Sequence, residues 1–95
     1  MHVVVRNYKG SAKLIDELVS REKDVRELIT GVDGFVAYHL VKTADGGVSV
    51  SVYRDKAGTE ESTRRAAAYI KENLEGVAAG PPEVIEGESV ITLTA

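Results

Sequence analysis

Ninety-five residues with fifteen acidic and twelve basic side chains, a formal charge of −3 and no cysteine or tryptophan point to one domain, 1–95, held by packing alone, without disulfides, a thiol nucleophile or a thiolate metal site. The one adjacent basic pair, Arg64-Arg65, lies among Glu60, Glu61, Glu72 and Glu75, so the basic patch that a nucleic-acid surface needs is missing. No apolar run nears the ~18 residues that span a bilayer, and the first residues lack the charged and apolar regions of a secretory signal; a cytoplasmic protein with no membrane partner is expected.

The first element is a strand over His2 to Tyr8, because Val3-Val4-Val5 is β-branched throughout and flanked by polar residues. Val3 and Val5 share one face; His2, Val4, Arg6 and Tyr8 share the other. Gly10-Ser11 breaks the strand, Ser11 can cap a helix, and Leu14, Leu18, Val25, Leu28 and Ile29 recur at helical spacing before Gly31. A single amphipathic helix over Ala12 to Ile29 is predicted. Phe35 to Lys42 and the strictly alternating Val48 to Tyr53 flank Ala44-Asp45-Gly46-Gly47, which predicts a hairpin. A second helix follows an Asp55 cap, with Ala66, Ala67, Ile70 and Leu74 as its apolar stripe and Gly58 near its start. After Gly80-Pro81-Pro82 the chain becomes extended again at Val84-Ile85, Gly87 suggests a bulge, and Val90 to Leu93 closes the chain.

This order, βαββαβ, predicts an α+β, ferredoxin-like domain: a four-stranded antiparallel sheet with two helices on one face. A domain so small buries only about two-thirds of the surface that its unfolded chain exposes, so a ligand cavity is expected on the open sheet face or between two chains. The strand Phe35 to Val41 carries apolar or aromatic residues on both faces, which a face turned to water does not require. Self-association sheet against sheet, as a homodimer, is the expected cover.

The hairpin register decides which residues meet. A type I turn with Gly46 in the left-handed position sets Leu40 opposite Val50 and Tyr38 opposite Val52, leaving His39, Ser49, Ser51 and Tyr53 on the other face with His2, Arg6 and Tyr8. Val3 and Val5 then belong with the helices. A two-residue Asp45-Gly46 turn instead brings His39 beside Val52, toward the helices. The first register is expected, because it separates polar from apolar side chains.

The runs Met1 to Tyr8, Gly34 to Val41, Val48 to Tyr53, Glu60 to Ala67 and Pro81 to Glu88 together resemble the antibiotic biosynthesis monooxygenase-like superfamily, in particular small bacterial members without an assigned activity. The resemblance covers nearly the whole chain and implies a dimeric α+β barrel of ferredoxin-like protomers. Characterised relatives include cofactor-independent monooxygenases of polycyclic phenols, haem-degrading enzymes and quinol-related oxygenases. Asn7 resembles a residue of the haem-degrading branch, but that branch also uses a tryptophan and a helix-borne histidine. This chain has no tryptophan, and His2 and His39 both lie on predicted strands, so haem degradation is disfavoured. The phenol-oxidising branch also often uses a tryptophan.

Two residues are candidate catalytic groups. His39 could abstract a phenolic or activated C–H proton, since an imidazole is poised near neutral pH; the structural alternative is a packed histidine satisfied by Ser51 or Tyr53. Arg6 could hold the resulting oxyanion; its alternative is an ion pair with Glu86 or Glu88. Tyr8, Ser51 and Tyr53 are candidate substrate-binding residues, and the tyrosines suit an interface equally well. Tyr38 is expected at the interface. Two histidines without an acidic cluster speak against a metal, and no cofactor is expected. The functional expectation is a cofactor-independent monooxygenase acting on an aromatic or phenolic small molecule in an inter-sheet cavity. The alternative is a non-catalytic small-molecule binding or stress-response module of the same architecture.

Overall fold

In the computed structural model, which describes residues 1–78 and 80–95, the chain runs β1 (His2–Asn7), α1 (Ala12–Ser20), α2 (Glu22–Thr30), β2 (Phe35–Lys42), β3 (Gly47–Tyr53), α3 (Lys56–Asn73) and β4 (Glu83–Glu88). The strands form one antiparallel sheet in the order β2-β3-β1-β4, the ferredoxin-like arrangement that the element order predicts. The single predicted first helix is broken in two. Between Ile15 or Leu18 and Val25 the sequence is almost wholly polar. The chain turns at Arg21 (φ −111°, ψ 34°), whose N–H is shared between the carbonyls of Glu17 and Leu18. Ser11 stands at the N-cap of α1, and Asp55 caps α3 by accepting from the Gly58 N–H at 3.1 Å.

The hairpin takes neither predicted register. Lys42 pairs with Gly47, Leu40 stands opposite Ser49, Tyr38 opposite Ser51 and His39 opposite Val50. The loop is closed by a Thr43 N–H bond to the Gly46 carbonyl at 3.0 Å, and Gly46 does not have a left-handed φ. Close approach is what demands glycine in this turn: a Cβ on Gly46 would lie 2.2 Å from the Tyr8 carbonyl oxygen, and one on Gly47 would lie 2.5 Å from Ile15. A bulge between Phe35 and Ala37 admits Val36 as an extra residue.

A slip of one residue exchanges faces, and the exchange reaches across the sheet. Val4, Arg6, Tyr8, Ser49, Ser51 and Tyr53 are buried beneath the helices. The open face carries the rows Ala37–Val52–Val3–Gly87, His39–Val50–Val5–Ile85 and Val41–Val48–Asn7–Glu83. The expectation that Val3 and Val5 face the helices is therefore corrected: the mixed set is inside and the valine set outside. The helix that covers the mixed set explains how. The covering face of α3 is small and polar, with Gly58, Thr59 and Ser62 buried, whereas the predicted stripe residue Ala67 is exposed.

Two apolar clusters flank this polar layer, one of Tyr8, Leu14, Ile15, Leu18 and Leu74, the other of Ile29, Val32 and Tyr53. β4 pairs with β1 in unbroken register through Gly87, so the expected bulge is absent. The chain leaves the sheet after Ser89, whose N–H bonds to the Met1 carbonyl at 2.8 Å. Beyond that bond Val90, Ile91 and Leu93 are exposed and not in a strand.

Candidate functional site

Arg6 is the centre of the buried polar layer. It is 2% exposed, and its guanidinium is held from two sides. Nη1 donates to Ser49 Oγ at 3.4 Å and Ser51 Oγ at 3.1 Å on β3; Nη2 donates to Ser62 Oγ at 2.9 Å and Thr63 Oγ1 at 2.8 Å on α3. Alternation along β3 puts both serines on the same face of the sheet as Arg6, and Ser62-Thr63 lies one helical turn beyond Gly58, where α3 packs against β3. A Cβ on Gly58 would stand 2.7 Å from Tyr53 Cβ.

All four acceptors are neutral hydroxyls. The ion pair with Glu86 or Glu88 offered as the structural alternative does not form: Glu86 lies beside Thr59 and His2, and Glu88 beside His2 and the N-terminal amine. Among the described residues no carboxylate lies within ion-pair distance of Arg6. Burying a charge costs on the order of several kcal/mol even after relaxation, and neutral hydroxyls recover only part of it. A buried cation without a counter-charge is a site that an anionic ligand would complete.

Arg6 lines a void of about 20 Å3 with Tyr8, Tyr38, Tyr69 and the roof residues Leu18, Val25, Leu28 and Ile29. Next to it is a cleft of about 460 Å3, lined mostly by apolar side chains of α1, α2 and β2, which shares Leu18, Val25, Ile29 and Tyr38 with the void. The chamber therefore lies within one chain, between sheet and helices. The inter-sheet cavity expected from the small size of the domain would lie on the other face of the sheet from Arg6.

The predicted site residues separate accordingly. Arg6 and Tyr8 meet at the void, and Ser51 serves Arg6 rather than the space. Tyr53 is a structural pin: fully buried, it donates to the Ile29 carbonyl at 2.5 Å and meets Phe35 edge-on at 5.9 Å. His39 is exposed on the opposite face, across the sheet from Arg6, and Asn7 lies on that face too. Tyr38, expected at an interface, lies under the helices instead. Sequence reasoning missed Ser62 and Thr63; the signal available was a run of small polar residues, Gly58, Thr59 and Ser62, at helical spacing.

The phenols of the chamber are held neutral. Burial pushes the Tyr38 hydroxyl up from 10.0 to about 12, aided by Tyr8 and opposed by Arg6. Burial also raises Tyr8, against the pull of Arg6 and of its hydrogen bond with Ser49. A raised phenol favours folding fully below the unfolded value near pH 10, and the benefit is lost as pH climbs to the folded value near 12. Thermal unfolding followed against pH should therefore show about 2–3 kcal/mol lost over that window, and Tyr38→Phe should flatten the decline.

No protein-family model matches the chain, and no curated protein matches it in sequence. Solved structures do match. The haem degrader MhuD of Mycobacterium tuberculosis, with two haems bound in its active site, superposes at TM-score 0.72 and 18% identity over 99% of this chain and 100% of that one. The ActVA-Orf6 monooxygenase of Streptomyces coelicolor, in complex with nanaomycin D, does so at TM-score 0.68 and 19% identity over 99% and 90%. The chain has the fold of these proteins. The resemblance to the monooxygenase-like superfamily is borne out as a likeness of fold. Among the described residues, no helix is long and apolar enough to cross a membrane, and no group of three or more histidine or acidic side chains could hold a metal ion.

Proposed function

We propose that this protein is a cytoplasmic, cofactor-independent monooxygenase that binds an aromatic or phenolic small molecule between its sheet and its helices, and that works as a homodimer joined through the open valine face. The observation that carries the reading is Arg6, buried and without a carboxylate, at the edge of an apolar cleft of drug-like size. The haem-bound and nanaomycin-bound proteins of the same fold support a small-molecule chamber.

In this reading Arg6 stabilises the oxyanion of a phenol whose ring carbon, made electron-rich by ionisation, attacks dioxygen. A carbon–oxygen bond forms and the peroxide oxygen takes up a proton. Loss of water then leaves a carbonyl, with one oxygen atom in the product and the other in water. Every electron comes from the substrate, so the scheme asks for neither flavin nor metal. Tyr8 is the neighbouring donor, Ser51 orients Arg6, and Tyr53 fixes α2 above the chamber. His39, on the far side of the sheet, takes no part within one protomer.

Oxygen uptake with a panel of hydroquinones and anthrone-like phenols tests the reading. Protein-dependent uptake is expected, and Arg6→Met should lower kcat/KM about a hundredfold, the range for losing one oxyanion donor, with an unchanged far-UV circular dichroism spectrum. One feature favours the second reading, a binding or stress-response module: the void has no histidine or carboxylate in its lining. Tight binding of the panel without any uptake would select it.

A further inference from the structure

A guanidinium has five N–H donors. In Arg6 the two terminal nitrogens direct theirs to the four hydroxyls of Ser49, Ser51, Ser62 and Thr63. The fifth, on Nε, is buried and has no partner. A bidentate carboxylate needs two adjacent donors in parallel, and both Nη atoms are engaged, so the remaining donor serves one oxygen. The void that Arg6 lines, about 20 Å3, has room for one oxygen-sized atom. Its wall is shared with the apolar cleft of about 460 Å3, which has room for an aromatic ring.

The titratable and charged groups around Arg6 are phenols or are already engaged. β1, β2 and β3 bring Tyr8, Tyr38 and Tyr53. From α3 come Tyr69, which donates to Asp24 of α2, and Arg65, which is paired with Glu61. On the β4 side, Glu86 is occupied by Thr59 and lies near His2. None of these is placed to take a proton from a ligand seated at Nε, whereas the guanidinium charge rewards a ligand that has already lost one.

Resting on the chamber proposed above, we infer that the site selects the ionised form of a phenol, held by a single oxyanion on Arg6 Nε, over both the neutral phenol and a carboxylate. The test uses 4-nitrophenol, whose phenolate is read directly by its visible absorbance, together with 4-nitroanisole and 4-nitrobenzoate as neutral and carboxylate counterparts. Measured anaerobically with the wild-type protein, the ionisation midpoint of bound 4-nitrophenol should fall by about one pH unit or more, with affinity at least about tenfold above either counterpart. Arg6→Met should abolish both the shift and the preference. An unshifted or raised midpoint overturns the inference, as does equal binding of 4-nitroanisole or 4-nitrobenzoate, or binding of none of the three at millimolar concentration. Because dioxygen is absent, a positive result stands even if oxygen uptake is never seen. Uptake without the shift would refute charge selection and leave the monooxygenase reading in place.

Discussion

Val50→Asp is expected to convert the proposed homodimer into monomers at micromolar concentration, weakening association by about a thousandfold or more. Val50 sits mid-sheet in the row His39–Val50–Val5–Ile85, with Val48 and Val52 before and after it on the same face. That row continues into Ile85 at 63% exposure, and Val41 and Val36 add apolar area on the edge strand. A patch of this extent on a small domain marks an interaction surface, and a second copy offers the same patch in self-complementary form. A carboxylate at its centre would be buried twice by a two-fold contact, facing apolar side chains and its own symmetry mate. Sedimentation velocity across a dilution series reads the result. Because the chamber lies on the other side of the sheet, the monomeric variant should keep its far-UV spectrum and its affinity for a phenolic ligand. A wild-type protein that sediments as a stable monomer would remove the proposed dimer, and the chamber within one chain would survive.

That independence reverses the logic available from the sequence. Alternation along Val48 to Tyr53 and along His2 to Tyr8 is legible as two sets of side chains, and the structure keeps both: Arg6, Tyr8, Ser51 and Tyr53 do share one face. Which set the helices cover is not a property of either strand. An alternating strand reads alike from both sides, and the usual rule that the apolar side faces the helices fails here because the covering helix is itself small and polar. The deciding information lay in α3, whose first turns carry Gly58, Thr59 and Ser62 where a conventional covering helix would carry leucine. His39 was misplaced with respect to Arg6 for a related reason. The bulge at Val36 and the four-residue loop Thr43 to Gly46 together set β2 against β3, and the turn at Gly46-Gly47 packs against Tyr8 and Ile15, which are distant in sequence. The break at Arg21 was legible as a polar interval but has no proline or glycine to announce it. Element order and strand order needed none of this, which is why the ferredoxin-like topology could be read directly.

Tyr53→Ala should be the most damaging single truncation in the domain, costing about 4 kcal/mol. Tyr53 is fully buried, and its ring closes the cluster with Ile29 and Val32, meets Phe35 edge-on and lies against Gly58 at the start of α3. Its hydroxyl bonds the Ile29 carbonyl in the last turn of α2. One side chain thus ties β3 to β2, α2 and α3 together. Truncation empties the ring volume beneath two helices and leaves the Ile29 carbonyl without its donor, and the two losses act in the same direction. For a domain of this size the midpoint of thermal unfolding should fall by roughly 20 °C. Tyr53→Phe separates the contributions: it retains the ring and removes only the hydroxyl, so its cost should be about 1–2 kcal/mol. The contrast also decides the residue's role. A substrate-binding tyrosine would lose ligand affinity as Phe with little change in stability; a pin would lose stability and keep affinity for a phenol at Arg6. The bond to Ile29 predicts the second result, and an unchanged unfolding midpoint for Tyr53→Phe would contradict it.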